Sequence, residues 1–156
     1  MLDLLLRLSK LGSGILNVAV GVSKMYLFLL HILSYDLWFY ASHRLLHLPA
    51  FYWIHKKHHE KAEPMFLDTY HDSWLETPIQ SLGILIPYAV MTFDPIQTAS
   101  ALAFLNIRGM LMHDPRGSFL TGDHHLIHHK LSNCNYGQYW IDYIMNTTYQ
   151  VKRSSA

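Results

Sequence analysis

Eight histidines of this chain fall into three closely spaced boxes. They are His43 and His47 in the first box, His55, His58 and His59 in the second, and His125, His128 and His129 in the third. Residues three and four apart lie on one face of a helix, so each box is expected to present a row of imidazoles. Imidazole is a good ligand for iron, copper, zinc and nickel. Eight imidazoles exceed the four ligands of a tetrahedral zinc site, which favours a two-metal centre between helices.

A structural role is the alternative for any single histidine on a helix. Three boxes of this form in one chain of 156 residues are far more than chance pairs would give. If the imidazoles were crowded without metal, each protonation would raise the free-energy cost of the next. Metal binding avoids that cost, because the ligating form is the neutral imidazole.

Three further histidines are candidates for the same site. His113 stands at the end of a predicted helix that returns the chain to the boxes, and we expect it to be an additional ligand. Two roles remain open for His71: it could be a metal ligand, or it could position the substrate. His124 precedes His125 and would face about 100° away from it on a helix, which makes it a weaker candidate.

The composition favours a membrane protein. Hydrophobic residues make up 51% of the chain and charged residues 15%, below the roughly 25% of a soluble domain. Residues 25–48 are nearly all apolar or aromatic, and at about 1.5 Å per residue they could cross a hydrocarbon core of about 30 Å. Asp36 lies in this stretch, where an ionisable group is a functional candidate. It could orient the imidazole of His43 or bond a neighbouring helix.

Further helices are predicted on either side of the boxes. Residues 2–11 predict an amphipathic helix that Gly12, Ser13 and Gly14 end, and residues 51–60 predict a helix that carries the second box. Residues 79–93 and 95–112 predict an apolar helical hairpin. A hairpin returns the chain to the side it left, so all three boxes would share one membrane face. Most Lys and Arg residues fall on that face, which makes it cytosolic by the positive-inside rule.

We therefore expect an all-α integral membrane helical bundle with a histidine-rich di-metal site at its cytosolic face. Residues 1–24 would form an amphipathic membrane lead-in, 25–147 the domain that carries the boxes and 148–156 a disordered tail. The formal net charge of +1 gives no reason to expect a nucleic-acid partner. Cys134 is the one cysteine, which excludes an intrachain disulfide and a thiolate zinc finger.

The chain resembles the fatty acid hydroxylase/sterol desaturase superfamily of membrane histidine-box oxygenases. The resemblance is carried by Asp36, the His43–His47 and His55–His59 boxes, His113-Asp114, and His124 to His129 with the following Asn135-Tyr136-Gly137-Gln138-Tyr139. The doubled His124-His125 and the last string are most similar to the C-5 sterol desaturase branch. Two departures are Asp72 after His71, where that branch has proline, and Trp140-Ile141-Asp142-Tyr143 in place of a Trp-Asp-Arg signature.

The resemblance implies a fatty acid hydroxylase-like domain with two iron ions, which zinc can replace in the isolated protein. The implied ligands are His43, His47, His55, His58, His59, His113, His125, His128 and His129, with no catalytic residue assigned beyond them. The implied reaction hydroxylates or desaturates a lipid or sterol C–H bond with O₂ and two electrons. These electrons come from NAD(P)H through a reductase and cytochrome b5. The implied location is the endoplasmic reticulum, or the inner membrane in a bacterium.

Two alternatives remain open. The first is a non-catalytic or truncated metal-binding membrane relative of the family. The second is a zinc-dependent membrane hydrolase with Glu60 as its general base. The hydrolase is disfavoured because no box contains the His-Glu-x-x-His motif.

Overall fold

The structure is a computed structural model that describes residues 2–150, and in this part of the chain all regular elements are helical. The α-helices are α1 (Leu2–Leu46), α2 (Tyr52–His55), α3 (Glu76–Ser81), α4 (Pro95–Met112), α5 (Ser118–Thr121), α6 (His124–Leu131) and α7 (Tyr139–Ile144). Tighter 3₁₀ segments cover His58–Glu60, Phe66–Tyr70, Leu82–Ala89 and Pro115–Gly117. The all-α prediction is confirmed.

Helix α1 is a single element of 45 residues. The prediction that Gly12, Ser13 and Gly14 end a first helix is wrong, because the helical backbone continues through them. A glycine inside a helix costs only about 1 kcal/mol relative to alanine, which is not enough to end a helix this long. The amphipathic face predicted for residues 2–11 lies largely outside the described side chains. The helix ends at Leu46, shortly before Pro49, as expected.

Among residues 2–150, no helix combines the length and the apolar character needed to cross a membrane. The crossing by residues 25–48 and the cytosolic orientation of the site stay predictions.

The predicted helical hairpin is right in its second arm and wrong in its first. Helix α4 occupies the predicted range, and the Asp94 side chain caps it by accepting hydrogen bonds from the backbone N–H groups of Ile96 and Gln97. The first arm is not one helix over 79–93. Helix α3 ends at Ser81, and a 3₁₀ segment with Pro87 inside it follows. Proline lacks the N–H that an α-helix interior requires, which explains the change.

The core lies where α1 packs against Leu82–Ala89 and α4. Ile84, Ala101 and Leu105 are buried there, with Phe28 and Ile32 packed against them. The approach is close at Gly83, where a Cβ atom would stand 2.7 Å from the Cβ of Trp38. Any larger residue would therefore push the 3₁₀ segment away from α1. His31 is structural, because its ring bonds the Ile84 carbonyl oxygen and the Tyr88 hydroxyl.

A buried ion pair also joins α1 to α4. Both carboxylate oxygens of Asp36 accept hydrogen bonds from the Arg108 guanidinium. Of the two roles considered for Asp36, the structure has the bond to a neighbouring helix rather than to an imidazole. The pair also accounts for Arg108, a charge inside an otherwise apolar helix.

The second box does not lie on one continuous helix over 51–60 as predicted. Helix α2 ends at His55, a turn follows at Lys56 and Lys57, and His58 opens a 3₁₀ segment. At the other end of the chain, the Tyr149 backbone N–H donates to the Asn135 side chain at 2.7 Å. The first residues of the predicted disordered tail are therefore bound to the fold, and residues 151–156 lie outside the described range.

Candidate metal centre

Nine histidines converge into two adjoining groups of nitrogen donors. The five-histidine group contains His43, His47, His55, His59 and His128, and the four-histidine group contains His58, His113, His125 and His129. Within each group the donor atoms lie within 4.8 Å of one another. The two groups touch, because the ring centroids of His59 and His129 are 4.9 Å apart. The structure therefore brings together all nine of the predicted ligands, including His113.

Two of the three boxes divide between the groups. In the second box, His55 and His59 join the five-histidine group while His58 joins the other. In the third box, His128 joins the five-histidine group, and the other two histidines of the box join the four-histidine group. The expectation that each box offers a single row of imidazoles is therefore only partly right. Each of these boxes serves both groups, which ties the two sites into one centre.

Backbone carbonyl groups fix the tautomers of four of these histidines. The Nδ1 atom of His43 donates to the Tyr136 carbonyl oxygen, and that of His128 donates to the Cys134 carbonyl oxygen at 2.7 Å. In the four-histidine group, His113 and His129 donate in the same way, to Gly109 and Lys61. A carbonyl oxygen can only accept, so the proton of each neutral ring is on Nδ1 and Nε2 presents a lone pair.

These lone pairs point at other imidazole nitrogens. The Nε2 atoms of His43 and His55 are 2.9 Å apart, those of His47 and His128 are 3.1 Å apart, and those of His113 and His58 are 3.0 Å apart. In each pair one nitrogen is fixed as an acceptor, and a metal ion between the two rings would be bound by both nitrogens. The five and four converging nitrogens of the two groups provide enough ligands for one ion each.

The burial of the imidazoles also favours a metal site. The Nε2 atom of His129 is buried and has no hydrogen-bond partner, although it belongs to the four-histidine group. Burial and the neighbouring histidines hold the pKa values of His58, His125 and His128 well below the usual range, and burial lowers the pKa of His59 to about 4. These rings are neutral at physiological pH, which is the protonation state that a metal ion requires.

One carboxylate in contact with the centre was not foreseen. Glu76, the first residue of α3, places Oε1 2.6 Å from Nδ1 of His55. Burial raises the pKa of Glu76 to about 9, with a further contribution from Asp72, and burial also lowers the pKa of His55. Glu76 lies outside every histidine box, 21 residues from its partner, so no local spacing in the sequence pointed to it.

A turn after the third box also contacts the centre. The carbonyl groups of this turn that bond His43 and His128 bring it against the boxes. Asn135 adopts a left-handed conformation with φ of 58°, as suits asparagine. Gly137 allows a close approach instead, because a Cβ atom there would lie 3.0 Å from Tyr40 side-chain atoms, a tight contact.

Asp142 holds this turn in place and was also missed as a site residue. The carboxylate is fully buried and accepts hydrogen bonds from the backbone N–H groups of Tyr136 and Gly137, at 2.8 and 2.7 Å. It also accepts from the Thr147 hydroxyl and from Nε2 of His124. His124 therefore bonds Asp142 and belongs to neither histidine group, in agreement with its predicted orientation.

His71 is likewise in neither group. Its Nε2 atom lies 2.9 Å from a carboxylate oxygen of Glu60, whose side chain is 62% exposed. The structure therefore does not bring His71 to the metal-binding nitrogens. The same contact turns Glu60, the general base considered for a zinc hydrolase, toward His71.

A cavity reaches one of the two groups. Three members of the four-histidine group line it, namely His58, His113 and His125, and no member of the five-histidine group does. Its other walls combine apolar side chains of α1 and α4 with the polar side chains of Tyr70, Asp72, Thr77 and Asn106. A molecule in this cavity would lie against the four-histidine group.

Comparison with known proteins agrees with this site. The family model described as fatty acid hydroxylase matches residues 28–147. A Delta(7)-sterol 5(6)-desaturase of Gibberella zeae is 31% identical over 133 residues, covering 73% of this chain and 39% of that protein. A methylsterol monooxygenase of Aspergillus fumigatus is 26% identical over 144 residues, covering 80% of this chain and 48% of that protein. The chain thus spans less than half the length of either relative. No solved structure gives a significant match.

Four of the matching proteins are named Delta(7)-sterol 5(6)-desaturases. One of them, from Aspergillus fumigatus, is 28% identical over 147 residues, covering 73% of this chain and 45% of that protein. The resemblance read from the three boxes, and its leaning to the C-5 sterol desaturase branch, are confirmed. The matched range contains all nine histidines of the two groups, together with Glu76 and Asp142.

Proposed function

This chain belongs to the fatty acid hydroxylase family, and from that premise we propose that it is a membrane-bound di-iron oxygenase acting on a lipid C–H bond. The substrate class is a sterol, as in the relatives' names. The product is an alkene or an alcohol. The observation that carries the proposal is the pair of adjoining all-imidazole groups, one of which borders a cavity.

Iron is the proposed metal at both groups. Imidazole suits iron, and each group offers at least four converging nitrogens. When bound, a pair of redox-active irons supplies the O₂ activation and electron transfer that removal of hydrogen from an unactivated C–H bond demands. The chain supplies neutral, pre-oriented imidazoles whose lone pairs need no reorganisation on binding. Cys134, a buried thiol, lies outside both groups.

The cavity is the proposed place of the reacting C–H bond. Its occupant would meet the four-histidine group through His58, His113 and His125, while the five-histidine group lies behind. Leu102, Leu105 and Met112 of α4 supply apolar walls for a lipid. Burial of such surface stabilises binding by about 25 cal/mol per Å².

The remaining parts of the proposal follow the family. Residues 25–147 would be the catalytic domain, residues 1–24 a membrane lead-in and residues 148–156 a tail. Electrons would arrive from NAD(P)H through a reductase and cytochrome b5 or a similar donor. The site would face the cytosol at the endoplasmic reticulum membrane, or at the inner membrane of a bacterium.

The test is an oxygenation assay on the iron-loaded chain in detergent, with NADH, a reductase, cytochrome b5 and a mixture of Δ7-sterols and methylsterols. We expect O₂ consumption together with a sterol product that has lost two hydrogens or gained one oxygen. His128→Ala should abolish both signals. His71→Ala is the matched control and should retain them, because His71 belongs to neither group.

Each other outcome has a definite meaning. Two bound metal ions without lipid oxidation, in the full assay and in cells lacking their own sterol desaturase, would favour the non-catalytic metal-binding relative. Equal activity of the wild type and His128→Ala would reject the oxygenase itself. Turnover of fatty acyl lipids and not of sterols would keep the oxygenase and reject the sterol.

A further inference from the structure

The contact between Glu76 and His55 differs from the other contacts that orient the histidines. In the described part of the chain, His43, His113, His128 and His129 each donate from Nδ1 to a neutral backbone carbonyl oxygen. His55 instead faces a carboxylate, at 2.6 Å. Glu76 is 1% exposed, and its second oxygen, Oε2, is buried without a hydrogen-bond partner.

A carboxylate in this position is unfavourable without a nearby positive charge. Burial of an ionised carboxylate costs several kcal/mol unless it is paired and hydrogen-bonded. The groups that face Glu76 do not provide that charge: Asp72 is acidic, Gln80 is neutral, and His55 is a neutral imidazole. A metal ion on the far side of the His55 ring would provide it, because the cation lies one imidazole away.

The hydrogen bond of the carboxylate reaches a histidine of one group, although Glu76 also lines the cavity beside the other group. Hydrogen bonding from Nδ1 to a carboxylate fixes the tautomer of a ligating histidine and raises its basicity. His55 belongs to the five-histidine group, and none of the hydrogen bonds of Glu76 goes to His58, His113, His125 or His129. The two metal ions are thus supported by chemically different surroundings.

We propose that Glu76 is a positioning residue that turns the Nε2 lone pair of His55 toward the five-histidine group and selectively strengthens metal binding there. This inference rests on the metal-binding part of the proposed function and requires no turnover. It makes the two ions inequivalent, because backbone carbonyl groups orient histidines of both groups, whereas the carboxylate of Glu76 bonds a histidine of the five-histidine group.

The test measures each group separately with Co²⁺ as the probe. In the full chain purified in detergent, His129→Ala removes a ligand of the four-histidine group, and His47→Ala removes a ligand of the five-histidine group. Glu76→Leu and Glu76→Gln are introduced into each background. Co²⁺ affinity is then measured by titration against a competing chelator and followed by the cobalt absorption spectrum.

In the His129→Ala background, we expect Glu76→Leu to weaken Co²⁺ binding roughly 10- to 100-fold. Glu76→Gln should weaken it less, because an amide oxygen can still accept the Nδ1 proton of His55. In the His47→Ala background, neither change should alter the affinity. The matched control is Glu60→Leu, which removes a carboxylate–imidazole bond at His71, outside both groups. It should leave Co²⁺ binding unchanged in both backgrounds.

Equal losses in the two backgrounds would overturn the selective role, and an unchanged affinity in the His129→Ala background would overturn the positioning role. If Glu76→Leu does not fold, the nearly isosteric Glu76→Gln decides alone, with unchanged affinity counting against the proposal. If the wild-type chain binds Co²⁺ but does not oxidise lipid, the result would count against the oxygenase and leave the role of Glu76 standing.

Discussion

The Nδ1 atom of His43 donates a hydrogen bond to the carbonyl oxygen of Tyr136 across 2.5 Å, although 93 residues separate them in the chain. The bond fixes the proton of His43 on the side away from the metal-binding nitrogens. The turn after the third box thereby orients a histidine of the first box. Asp142 holds that turn through the backbone N–H groups of Tyr136 and Gly137.

Replacement of Asp142 by asparagine should therefore destabilise the fold by about 3 kcal/mol, since buried donors would lose their acceptor. Asparagine has one acceptor oxygen for the donors that the carboxylate now serves. The measurement is chemical unfolding in detergent. Asp123→Asn is the matched control, because Asp123 is exposed and its side chain makes no capping bond. A loss no larger than that of the control would show that Asp142 does not hold the turn.

The destabilisation should also depend on pH. Burial acts to raise the pKa of Asp142, but the hydrogen bonds from His124, Thr147 and the backbone outweigh it, and the pKa is lowered. The contribution of Asp142 should thus be complete above the unfolded-state value of about 3.9 and decline as the pH falls below it. The stability difference between wild type and Asp142→Asn should shrink over that acidic range.

The two histidine groups should lose metal independently. His58→Ala removes a ligand of the four-histidine group and His128→Ala one of the five-histidine group, so each variant should retain about one of two metal ions. His71→Ala should retain both. Metal analysis of the purified proteins gives the stoichiometry. Loss of both ions in either single variant would mean that the two groups bind metal cooperatively.

Removal of the metal should lower the melting temperature. The converging imidazoles would lose the cation that they bind together, and ligand binding at 1,000 times its dissociation constant stabilises by about 4 kcal/mol. For a chain of this size that corresponds to roughly 10 °C. Thermal unfolding before and after chelation measures the change, and re-addition of Fe²⁺ should reverse it. An unchanged melting temperature would mean that the imidazoles are stable without metal.

The Asp36–Arg108 pair should behave as a buried ion pair. The two side chains are only 8% and 17% exposed, so Arg108→Met would leave an unpaired buried carboxylate and cost about 3 kcal/mol. Adding Asp36→Leu should recover most of that loss, because neither charge then remains. Chemical unfolding of the single and double variants gives the interaction free energy between the two side chains. Additive losses in the double variant would contradict a direct interaction.

The sequence alone determined which histidines could serve as donors and the helical class. Histidines three and four residues apart share a helix face wherever a helix forms, so the boxes identified eight of the nine donors from local geometry. His113 followed from its place at the end of α4. The helical backbone of α4, with Asp94 and Pro95 at its start, was equally local in origin.

The tertiary structure alone decided how the donors are shared and what orients them. The turn at Lys56 and Lys57 separates His58 from His55 and His59, and no periodicity in the sequence records that break. Glu76 and the Tyr136 carbonyl reach their histidines across 21 and 93 residues. Such contacts depend on how the helices pack, because local spacing fixes directions within one helix and nothing between two.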